Sequence, residues 1–134
     1  MKKLNYSTDL GLLILRVGIG VMFLLHGLPK ITGGPATWEG LAQNGLPILP
    51  AGIISIAFGL AAAIAEFGGG LFLIVGRYHR IACLALAATM AVAFTTKLGD
   101  ITGIMNFAYQ AGWPLELLIV FVALFFTGPG RHRI

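Results

Sequence analysis

Six side chains able to do chemistry stand out in an otherwise apolar chain: Arg16, His26, Lys30, Glu66, Lys97 and Glu116. Arg16 lies inside the first apolar run, Asp9 to Lys30, and His26 and Lys30 close that run at its far end. Arg16, Gly20, Phe23, Gly27 and Lys30 recur at helical spacing and form one stripe of charged, small and aromatic side chains. A charge near the middle of a spanning helix costs roughly 2.5–3.5 kcal/mol on insertion scales, so this stripe requires an enclosed interior and an acid to answer it. Glu66 is that acid. It belongs to a second stripe, Ser55, Gly59, Ala62, Glu66 and Gly70, whose small members let a neighbouring backbone approach closely. Counted from the ends of the two runs at about 1.5 Å per residue, Arg16 lies ~10 Å and Glu66 ~15 Å above the same face, which predicts an Arg16–Glu66 pair.

The other four residues gather toward the opposite mouth. His26 and Lys30 are four apart on one side of a helix, Lys97 ends a later apolar run and Glu116 begins the last one, just after Trp113–Pro114. Arg16, His26, Lys30 and Lys97 supply hydrogen-bond donors, and Glu66 and Glu116 supply carboxylates able to relay protons. That chemistry suits a polar headgroup or a small anion. Each residue also has a structural reading. An Arg16–Glu66 pair can simply fix helix register, and Lys30 and Lys97 can snorkel to headgroups. His26 can donate to a backbone carbonyl, and Glu116 can answer a helix dipole.

The elements that must position these groups are membrane helices. Of 134 residues 57% are hydrophobic and only 10% charged, against about 25% charged in a soluble domain. Apolar segments at about 9–28, 52–76, 81–98 and 113–128 each approach the 17–25 residues a spanning helix needs. Strict polar/apolar alternation is absent, so a transmembrane barrel is not expected. The sequence therefore predicts an all-α, integral membrane four-helix bundle in a single transmembrane domain, 1–134, in contact with the lipid bilayer. The net charge of +4 is dispersed at the ends of the runs, which points to topology and away from nucleic acid. Lys2, Lys3, Arg77, His79, Arg80, Arg131, His132 and Arg133 fall on one side, which the positive-inside bias makes cytoplasmic together with both termini. Trp38 and Trp113 would then form the outer aromatic belt, and Tyr6 and Tyr78 the inner one. Arg16 interrupts the first run and no clear A-x-A-type site follows it, so that run is read as a span and not as a cleaved signal.

Within the longest connection, Ala36 to Asn44 reads as a short helix with Pro35 near its start, either capping the bundle's outer mouth or anchored at the interface. In either case Trp38 and Leu41 are expected to face the membrane, and Glu39 and Gln43 water. Cys83 is the lone cysteine; it excludes an internal disulfide or a CxxC pair and reads as a small buried residue. No metal-ligand cluster, haem-attachment motif or nucleotide loop is present, so no intrinsic cofactor is expected.

The segments Leu15–Lys30 (LRVGIGVMFLLHGLPK), Asn44–Pro50 (NGLPILP), Ala65–Gly76 (AEFGGGLFLIVG) and Trp113–Phe121 (WPLELLIVF) resemble the DoxX family of small four-helix bacterial membrane proteins. The HG-xx-K and E-xx-GG elements are its more specific parts. The resemblance implies a place in the bacterial cytoplasmic (inner) membrane and maps the family's polar motif onto Arg16, His26, Lys30, Glu66 and Glu116, with Lys97 at a less certain position. Relatives include the quinone-linked subunit of a thiosulfate oxidoreductase and members of thiol-redox assemblies. It thus implies a bound quinone and a redox partner protein. Two further readings stay open: a non-enzymatic scaffold or assembly subunit, and a small-solute transporter acting as a homo-oligomer.

Overall fold

The computed structural model describes residues 2–134, with side chains from Thr8 onward; Lys2, Lys3 and Tyr6, assigned above to the inner side, have side chains outside the described ones. Six helices follow in order: α1 (Lys2–Thr32), α2 (Pro35–Gly45), α3 (Ile53–Val75), α4 (His79–Leu98), α5 (Ile104–Gln110) and α6 (Gly112–Thr127). No strand occurs among the described residues. Three helices, Thr8–Thr32 within α1, α3 and α4, are long and apolar enough to cross a bilayer. The pair α5–α6 also passes together, bent by 60° at its break. The fold is a helical membrane bundle.

Connectivity fixes which ends lie together. Asp9 near the start of α1 accepts from the Arg131 backbone N–H at 3.2 Å and lies 3.4 Å from its guanidinium, beyond α6. The Ile134 N–H donates to the Val75 carbonyl at the end of α3. The start of α1, the end of α3 and the end of α6 therefore share one face. The chain returns to its starting side, as an even number of crossings requires.

α1 and α3 pack antiparallel through glycine. A Cβ on Gly20 would come within 2.7 Å of the Gly70 carbonyl oxygen, and one on Gly27 within 2.7 Å of the Phe67 nitrogen. The predicted stripe of α1 is its buried face: Arg16, Gly20, Phe23 and Gly27 are buried and Lys30 half-buried. On α3 the buried face is Ser55, Gly59, Ala63, Glu66, Gly69, Gly70 and Leu73. α4 packs against both α3 and α6. Phe23 of α1 meets Phe121 of α6 edge to face at 5.2 Å, closing the bundle over Leu73, Leu86, Met90 and Leu124. Cys83 is fully buried.

α2 differs from its expected setting. Trp38 turns inward, donating from Nε1 to the Lys30 carbonyl at 2.9 Å. Glu39 is half-buried and accepts the Gly52 N–H at 2.6 Å. The cause is Gly59, where the missing Cβ lets the α2 backbone at Trp38 lie directly on α3. The Lys30 carbonyl, in the last turn of α1, also accepts the Gly33 N–H at 3.3 Å and takes the indole N–H on its second lone pair.

Candidate functional site

Glu66 is held deep on α3 by its glycine-rich face, and Lys30 reaches it from the last turn of α1. Lys30 Nζ donates to Glu66 Oε2 at 2.6 Å, a charge-assisted bond with side-chain exposures of 32% and 9%. The Trp38 contact pins the Lys30 backbone from the other side.

The expected Arg16–Glu66 pair does not form. Arg16, 1% exposed, donates from Nη2 to the His132 carbonyl, and its Nε and Nη1 have no partner among the described residues. The ends of the two apolar runs are not level. Arg16 instead abuts Gly76, where a Cβ would overlap its guanidinium. Gly76 caps α3 in the left-handed conformation (φ 80°), so glycine is required there on two counts. Glu66 lies ten residues further in, ~15 Å along the helix. At that level the cation on α1 is Lys30.

Two cavities flank the ion pair. One, of about 360 Å³, is lined by Ile19, Met22, Phe23 and His26 of α1, Met90 of α4, and Trp113 and Leu117 of α6, with Lys30 and Glu66 in its wall. The other, of about 660 Å³, lies beneath α2 between α3 and α4 and includes Leu41, Thr89, Thr96 and Lys97. Lys30, Glu66 and Trp113 line both. The structure thus brings Lys30, Glu66, His26 and Lys97 to two adjoining chambers. It leaves Arg16 at the other end of the bundle and Glu116 exposed on α6, lining neither chamber.

Sequence reasoning assigned Trp113 only to an aromatic belt. Trp113 stands two residues beyond Ala111, the 60° break between α5 and α6, and lines both cavities; the Trp113–Pro114 step that opens α6 is its available signal. Among the described residues no three His, Cys, Asp or Glu converge as a metal site would require. What the arrangement offers is a charged donor with spare N–H groups, a carboxylate that fixes it, an imidazole, and apolar walls.

The DoxX family matches residues 11–99. The chain is 31% identical, over all of its length and 94% of the relative's, to "Inner membrane protein YqjF" of Escherichia coli K12. It is 36% identical to "Putative oxidoreductase CatD" of Bacillus subtilis 168, over 69% of this chain and 63% of that one. An uncharacterized protein of Haemophilus influenzae is 30% identical over 89% of this chain and 84% of its own. No solved structure matches.

Proposed function

Because the chain belongs to the DoxX family and is a multi-pass protein of the cytoplasmic membrane, we propose that it is a redox-linked membrane protein whose Lys30–Glu66 pair receives a quinone headgroup. The observation that carries this reading is the 2.6 Å ion pair standing in the shared wall of two cavities. The name of the Bacillus subtilis relative points the same way.

The residues fit such a group. Lys30 Nζ has three N–H donors and spends one on Glu66, leaving others for a carbonyl oxygen. Glu66 holds the ammonium in place, and His26, on the adjoining wall, adds an imidazole with one donor and one acceptor nitrogen. Ile19, Met22, Phe23, Met90 and Leu117 give the apolar surface that a ring and its isoprenoid chain require. Trp113 lines both cavities and offers an aromatic edge. A bound quinone supplies two-electron, two-proton acceptor chemistry; the electrons come from a partner protein.

Titrating the purified protein in detergent with a short-chain menaquinone or ubiquinone analogue tests the reading, with tryptophan fluorescence as readout. Saturable quenching is expected, weakened about tenfold or more in Lys30→Ala, as for loss of a hydrogen bond to a charged group. No saturation, or equal binding by a Lys30→Met/Glu66→Leu variant, would favour a scaffold in which the pair only organises the bundle.

A further inference from the structure

A third cavity lies at the opposite end from Lys30, between the α3–α4 turn and the segment after α6. It has a volume of about 920 Å³, and Arg77, Arg80, Arg133 and His79 line it with no acidic side chain among its walls. We infer that this cavity binds the phosphate group of an anionic phospholipid headgroup from the cytoplasmic leaflet.

Clustered cations at a membrane end commonly serve topology alone, and three observations go beyond that. The first is shape: the three arginines line one open groove, with Gly76 and Gly128 also in its wall. The second is unanswered hydrogen-bonding capacity. Arg16 lies directly behind Gly76 and leaves Nε and Nη1 without partners. His79, buried in the cavity wall, spends Nε2 on the Leu124 carbonyl at 2.9 Å and leaves Nδ1 unpartnered. Buried polar atoms are normally satisfied: the Arg16 orphans are donors that an anion would answer, whereas His79 Nδ1, with Nε2 donating, is an acceptor suited to a headgroup hydroxyl. The third is repulsion. Arg133 stands within electrostatic reach of Arg16, and Arg16 and Arg80 within reach of His79. Asp9, at the same end of the bundle, is engaged by Arg131, which lies outside the lining.

Arginine forks match phosphate oxygens in geometry and charge, and a phosphodiester offers enough acceptors for several forks at once. A lipid source follows from position. The cavity lies on the side that the positive-inside bias makes cytoplasmic, where the leaflet is anionic. Tyr78 and Ile81, both exposed and both in the cavity wall, give apolar contact for the glycerol and upper acyl region. Arg80 is already steadied over the Phe125 ring at 5.8 Å.

Native mass spectrometry of the detergent-purified protein, supplied with equal amounts of phosphatidylglycerol and phosphatidylcholine, provides the test. Phosphatidylglycerol should be retained preferentially, and retention should fall about fivefold for each arginine removed in Arg77→Gln and Arg133→Gln. Arg131→Gln, outside the cavity, should leave it unchanged. Both lining arginines are exposed, and unaltered circular dichroism will show that the variants remain folded. Equal retention of the two lipids, or no loss in the Arg77→Gln/Arg133→Gln double variant, would overturn the site. A thermal shift with inorganic phosphate but no retention of phosphatidylglycerol would overturn the lipid as its source.

Discussion

Lys30 answers Glu66 in the place where Arg16 was expected, and the exchange matters chemically. A lysine keeps two spare donors on a compact, rotatable ammonium that can turn toward a ligand, whereas an arginine held bidentate by the carboxylate would have its remaining N–H groups fixed in one planar fork. Removing one partner from a buried pair costs about 3–5 kcal/mol, and the partial exposure of Lys30 places Glu66→Gln at the lower end of that range. Thermal unfolding in detergent should show this loss and a large recovery in Lys30→Met/Glu66→Leu. A double variant no more stable than the single one would mean that the pair is not coupled. The capable residues were legible from type and spacing alone, because charge in an apolar run stands out. Their partners were not, since pairing depends on the relative height of two helices, which no single run encodes.

Helices carried the legible part of the fold. Four apolar segments mark α1, α3, α4 and α6, and glycine-rich stripes marked the faces that meet. The orientation of α2 was hidden because its alternation of Trp38 and Glu39 reads equally well either way up. Only the Gly59 contact decides it, and that is a property of two elements together. Gly59→Ala should therefore cost about 1–3 kcal/mol or more, since the Cβ would collide with backbone and not with a movable side chain. Gly68→Ala, on the same helix with open space at its Cβ, should instead gain about 0.5–1 kcal/mol. Melting temperatures of the two variants, compared with the parent, check both signs.

Across the whole molecule, the segment after α6 reaches back to three places: Asp9, Arg16 and Val75. Nothing in its composition announced this, because Arg131, His132 and Arg133 read only as markers of the side on which the chain ends. Deleting residues 131–134 should cost about 1.5–3 kcal/mol from the Arg16 hydrogen bond alone. Arg16→Met should be better tolerated in the shortened protein than in the full one, a difference that a double-mutant cycle on unfolding free energy would measure.

The contact between Arg16 and His132 also sets an order of events. The two are 116 positions apart, so the guanidinium enters the bilayer with the first crossing and waits for its carbonyl until every later crossing has been made. Until the last span is made, the growing chain holds a guanidinium without the His132 carbonyl at that end of the bundle. The bundle therefore cannot be sealed one span at a time; the stretch beyond the final span is its keystone.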